Sequence, residues 1–138
     1  MSLKSPEAAL RSTLIASAAV TALVGNRIFP ILAPTTAALP FITYRRTGIQ
    51  RIQAFVGPVG RPTVTVDFEV LATTYEGARD LADKCRLALD GWGGTVGSVV
   101  VQQTSLENES DDFVQLGGAE MPTVYRVTQT YDVIWQET

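Results

Sequence analysis

Histidine is absent from this 138-residue chain, and cysteine occurs once. Without an imidazole the usual base of nucleophilic catalysis is missing, so an ordinary serine or cysteine hydrolase is excluded and only lysine or carboxylate variants remain. Lysine is scarce too: Lys4 and Lys84 are the only two, and neither sits in a recognisable motif. One thiol supplies neither a disulfide framework nor a structural zinc site. Cys85 falls on the apolar stripe of a predicted helix and reads as an inert core thiol. Its neighbour Lys84 projects about 100° away around that helix and cannot be assumed to meet it. Positive charge is also short, with 11 Lys and Arg against 14 Asp and Glu for a net charge of −3. That balance gives no general attraction to a phosphate backbone. No apolar run reaches the ~20 residues of a membrane span, because Ser12, Thr13, Ser17 and Thr21 interrupt the first helix. Lys4 and Glu7 frame a helix start rather than a cleavable leader. The expectation is a cytoplasmic protein of one domain, residues 1–138, with no catalytic centre, metal or cofactor.

What the chain does have is alternating helix and strand patterning. Ser5, Pro6 and Glu7 open a first helix. Its stripe, Leu10 and Leu14, gives way near Ser17 to another of Ala16, Ala19, Val20, Leu23 and Val24, so Ser17 reads as the cap of a second short helix, ended by Gly25 and Asn26. Pro30, Pro34 and Pro40 make the next stretch an extended connector, with Ile28, Phe29, Ile31 and Leu32 as anchors. Residues 41–47 are rich in strand formers, and 62–73 alternate strictly, with Val64, Val66, Phe68, Val70 and Ala72 on one face. Thr73 and Glu76 have the spacing of a reciprocal helix cap. The helix that follows carries an apolar stripe of Ala78, Leu81, Ala82, Cys85 and Leu89, stopped by Gly91, Gly93 and Gly94 around Trp92. Strands are expected at about 96–104 and at 123–136, where Tyr125, Val127, Tyr131, Val133 and Trp135 share a face. The fold class read from this order, α-β-β-α-β-β, is α+β: a mainly antiparallel four-stranded sheet, two helices on one face, and a long β-hairpin arm over 48–60.

Two clusters outside the core are candidates for function. Arg45, Arg46 and Arg51 form the one notable basic group, and alternation on a hairpin spreads them over both faces. Subunit contact therefore fits them better than nucleic-acid binding, and apolar Ile49, Ile52 and Phe55 make the same arm a candidate interface. Glu107, Glu109, Asp111 and Asp112 fall in an expected loop over 106–120. They lack the twelve-residue calcium pattern and its glycine, so they read as a solvated or partner-facing loop, or as the lining of a lumen where carboxylates would repel DNA. The three glycines after the helix follow a helix rather than a strand, which makes them a helix stop and not a phosphate loop. An alternative is a small ligand-binding protein or carboxylate-based enzyme using Asp67, Glu69, Tyr44 and Tyr131. Asp67 and Glu69 do share a strand face, but an exposed sheet face explains them more readily.

Four stretches also resemble a known family: Ala18-Ala-Val-Thr-Ala-Leu-Val-Gly-Asn-Arg-Ile-Phe-Pro30, Ala38-Leu-Pro-Phe-Ile-Thr-Tyr44, Val66-Asp-Phe-Glu-Val70 and Thr74-Tyr-Glu-Gly-Ala-Arg-Asp-Leu-Ala-Asp83. In this order they resemble the tail-completion, or tail-terminator, proteins of long-tailed bacteriophages and prophages. The resemblance implies a structural subunit and no enzyme activity. It further implies a ring, commonly hexameric, that caps the head-proximal end of the tail tube and joins it to the head-tail connector. The partners implied are further copies of the chain, the tail-tube protein and the connector. The place implied is the virion, after assembly in the bacterial cytoplasm.

Overall fold

The computed structural model describes residues 6–33, 38–50, 53–54, 57–58, 62–96, 99–115 and 123–136. Three helices, α1 (Pro6–Ala16), α2 (Ala18–Val24) and α3 (Tyr75–Leu89), accompany strands β1 (Ile28–Pro30), β2 (Phe41–Gln50), β3 (Gln53–Ala54), β4 (Gly57–Pro58), β5 (Thr63–Ala72), β6 (Gly94–Val96), β7 (Val99–Gln115) and β8 (Thr123–Gln136). Six strands form one sheet in the order β1-β2-β5-β8-β7-β6, and β3 pairs antiparallel with β4 in a separate two-stranded sheet. The expected four-stranded antiparallel α+β sheet with two helices is therefore corrected. The protein is mostly β, its main sheet is mixed because β1 runs parallel to β2, and its helices number three among the described residues.

The two added strands are short and sit at the edges, where three residues pair with little local signature. β1 lies in the proline-bearing connector, and β6 follows the glycines that end α3. Of the connector's expected anchors, Ile28 is buried and Phe29 packs against Phe41, but Ile31 and Leu32 are exposed. β7 carries the larger correction. It continues to Gln115 instead of ending near Thr104, so the acidic stretch expected as a loop is strand as far as that residue.

α1 and α2 meet at a bend of 88°. The turn closes through Ser17 N to Leu14 O, and the Ser17 side chain makes no capping bond. Leu10, Leu14, Val20 and Val24 are buried, whereas Ala16 and Ala19 face water. α3 starts one residue later than the sequence suggests: Thr74 is the cap, its Oγ1 accepting from Gly77 N at 3.0 Å. The full predicted stripe of α3 is buried against the sheet. Phe68 fills the centre of that core, stacked on Tyr44 and edge-on to Tyr131. Among the described residues no single helix is long and apolar enough to cross a membrane.

The opposite face of the sheet is covered at one end only. There Phe41, Leu71 and Val124 are buried, with Phe29, Ala33 and Leu39 packed on them. The rest of that face carries Thr65, Asp67, Thr130 and Asp132, tied in pairs by hydroxyl-to-carboxylate bonds.

Candidate functional site

Residue-by-residue pairing fixes where the acidic stretch points. β7 skips a residue between Leu106 and Asn108, which places Glu107 in a bulge and reverses the alternation beyond it. Glu109 and Asp111 then lie opposite Gln129 and Val127, on the face that carries the helices, while Asp112 lies opposite Arg126 on the other face.

Each of these three acids meets an arginine. Arg79 of α3 reaches Glu109 at 3.0 Å and Asp111 at 3.3 Å, and also Asp83 one turn along its own helix at 3.2 Å. The Tyr75 hydroxyl donates to Asp111 at 2.7 Å, and this bond is the main reason the phenol's pKa lies above its ordinary value. Arg126 grips Asp112 with two bonds, of 2.8 and 2.5 Å, which holds that carboxyl below the usual range. Glu107 alone of the four has no cation beside it among the described residues and accepts from Ser105 Oγ at 2.7 Å.

From Glu109 the network runs into the core. Gln129, fully buried, donates through Nε2 to Glu109 Oε2 at 2.6 Å and to the Ala82 carbonyl at 2.8 Å, and accepts from the Tyr131 hydroxyl at 2.8 Å. Burial is the chief reason the Tyr131 phenol is pushed far above its usual range. Glu109 and Asp111 thus fasten α3 to the sheet. The sequence reading missed both Arg79 and Gln129. Gln129 was visible as the polar member of the inward series between Val127 and Tyr131.

On β2, Arg45 and Arg46 are exposed on opposite faces of the strand, and among the described residues neither guanidinium is within ion-pair distance of a carboxylate. They border a depression of about 520 Å³ shared with Glu7, Pro30, Ile31 and Tyr44. Glu7 Oε2 is buried without a hydrogen-bond partner among the described residues. Ile49 is exposed on the same strand, whereas Arg51, Ile52 and Phe55 lie outside the described residues.

The groups of the ligand-binding alternative are not brought together. Tyr44 and Tyr131 point into the helix-covered core, while Asp67 and Glu69 belong to the opposite face. Cys85 is buried, and loss of water pushes its thiol up to about 12, which matches an inert core residue. Among the described residues no three acidic or thiol groups are placed to share a metal ion.

Comparison with known proteins adds three findings. A family model described as "Tail completion protein gp17" matches residues 8–136. A solved chain from the "Virion of native gene transfer agent (GTA) particle" shares the fold with a TM-score of 0.76 at 15% identity, over 94% of this chain and 93% of that one. No protein among the curated ones matches at significance.

Proposed function

This chain belongs to the tail completion protein gp17 family, a phage tail structural protein, and from that premise we propose that it forms a ring which caps the tail tube and joins it to the head connector. The observation that carries the reading is the extent of the family match, which takes in every strand of the six-stranded sheet. The fold shared with a virion chain over nearly its whole length supports the same role. Copies of the chain, in a ring of six, are the first partner; the tail-tube protein and the head-tail connector are the others. The place of action is the head-proximal end of the tail, after assembly in the bacterial cytoplasm.

Within that reading Arg45, Arg46 and Ile49, exposed on β2, are subunit contacts. A lumen role narrows to the acids not committed to α3. Glu107 lies in the bulge, and Asp112 shares the helix-free face with Asp67, Glu69 and Asp132, where negative charge would keep passing DNA from sticking. The test is deletion of the gene from its phage or prophage, with tails viewed by electron microscopy. The expected result is tails of uncontrolled length that fail to join heads, restored by supplying the protein. Tails of normal length joined to full heads would overturn the proposal.

A further inference from the structure

We propose that copies join edge to edge: the uncovered half of β2 in one copy adds as an antiparallel strand to the uncovered half of β7 in the next. This rests on the self-association proposed above and specifies its geometry. β1 covers β2 only along Ile42–Tyr44, with two flanking bonds, Ile42 N to Arg27 O and Ile31 N to Tyr44 O. From Arg45 to Gln50 no strand among the described residues pairs with that side of β2. β6 covers β7 only along Val99–Val101. Next to it Gly91 N donates to Thr104 O, and Asp90 Oδ1 accepts from Leu106 N. Beyond, from Glu107 to Gln115, that side of β7 is again without a paired strand among the described residues. The sheet therefore has two bare edges, on opposite sides, each a row of backbone donors and acceptors that templates another strand.

Charge decides which edges meet. Arg45 and Arg46 stand on the β2 edge without a carboxylate partner among the described residues. The β7 edge carries Glu107, Glu109, Asp111 and Asp112 against the guanidiniums of Arg79 and Arg126, four negative charges less two positive. Two copies meeting β2 to β2 would set arginines against arginines, and β7 to β7 would set acids against acids; only the head-to-tail contact joins unlike charge. A head-to-tail contact is also the kind that generates rings.

Direction and apolar cover agree. β5 runs antiparallel to both β2 and β8, and β7 antiparallel to β8, so β2 beside the next copy's β7 continues the alternation and keeps all helices on one side. Exposed Ile31 and Leu32, at 74% and 80%, lie beside the β2 edge, and exposed Phe113, at 65%, lies on the β7 strand. Such side chains gain burial when an edge is covered. The bare half of β2 is level with Thr63–Asp67 of β5, whereas the bare half of β7 is level with the other end of the sheet. Matching them shifts neighbouring copies by about five residues, roughly 17 Å at a strand rise of about 3.3 Å. Across four strands spaced about 4.8 Å this is a tilt of about 40°, within the range of ~35–45° that closed barrels adopt.

The experiment uses single-cysteine additions to the full chain: Gln50→Cys on β2, and Asn108→Cys or Ser110→Cys on β7, treated with a short bis-maleimide. Buried Cys85 stays unlabelled in the folded protein. Mixing Gln50→Cys with either β7 variant is expected to give a mixed dimer, neither variant alone is expected to cross-link, and a chain carrying both changes is expected to give a ladder. Native mass spectrometry, with and without purified tail tubes, runs alongside. Oligomers that form without mixed cross-links, or single variants that cross-link to themselves, overturn the edge pairing while leaving self-association standing. A chain that stays monomeric even on tubes overturns both. A charge test adds a second readout: Arg46→Glu is expected to weaken association at least 10-fold, whereas Arg46→Lys, which keeps the charge, is expected to leave it nearly unchanged. No loss with Arg46→Glu would overturn the role assigned to charge.

Discussion

Replacing Gln129 by leucine tests whether the buried network holds α3 on the sheet. Leucine keeps the volume but removes the donor to Glu109 and the acceptor of the Tyr131 hydroxyl. The bond to a charged acceptor is worth about 1.5 kcal/mol at the low end of its range, since Glu109 keeps Arg79. A fully buried phenol left without an acceptor costs about 1–3 kcal/mol. Allowing for the gain from an apolar side chain in an apolar site, the expected loss is about 2.5 kcal/mol, or roughly 8 °C in Tm for a domain of this size. Tyr131→Phe alone strands Gln129 Oε1 and is expected to lose about 1–2 kcal/mol. Joining the two changes removes both ends of one bond, so the double variant is expected to be more stable than Gln129→Leu alone. Urea unfolding at one fixed protein concentration, with an unchanged m value, reads all three. A Gln129→Leu loss below about 0.5 kcal/mol, or strictly additive effects, would refute the network as a structural tie.

Thr74→Ala is expected to lose about 1 kcal/mol in urea unfolding, and Thr73→Ala less than about 0.5 kcal/mol; the reverse order would restore the cap at Thr73. Gly93→Ala is expected to cost about 1–3 kcal/mol by the same measurement, because an added methyl would stand 2.8 Å from the Gln102 carbonyl oxygen of the facing backbone. Cys85 is expected to resist a thiol reagent at pH 8 in the folded protein and to react fully in denaturant, since burial holds its pKa at about 12; fast labelling of the native chain would contradict its place in the core.

How much of this was legible depended on whether a strand kept its period. β5 alternates without interruption and pairs with a strand on each side, so Val64 to Ala72 could be assigned to the core by pattern alone. The stripe of α3 was equally plain, and the limits of β8 were read without error. β7 was legible only in part. It shifts register after Val101 and again at Glu107, and each shift cancels the two-residue rhythm. Beyond Leu106 its inward positions are carboxylates answered by Arg79 from a helix more than twenty residues earlier, a pairing no local window contains. β1 joins β2 across the connector, so its existence follows from packing rather than from Ile28–Pro30 themselves. Of the candidate surface residues, Arg45, Arg46 and Ile49 are exposed, whereas the acids are divided between the two faces of one strand.

The small cluster of Phe41, Leu71 and Val124 has a consequence for stacking. It thickens the sheet to three layers at one end, with helices above and the chain around Phe29 and Leu39 below, while the far end keeps a bare lower side of threonines and aspartates. Copies standing side by side would repeat that taper, so the ring proposed above would have one thick rim and one thin, polar rim. Unlike rims would give such a ring a polarity, so that under the proposed role it would seat on a tube one way up and offer the next tube disc a different surface.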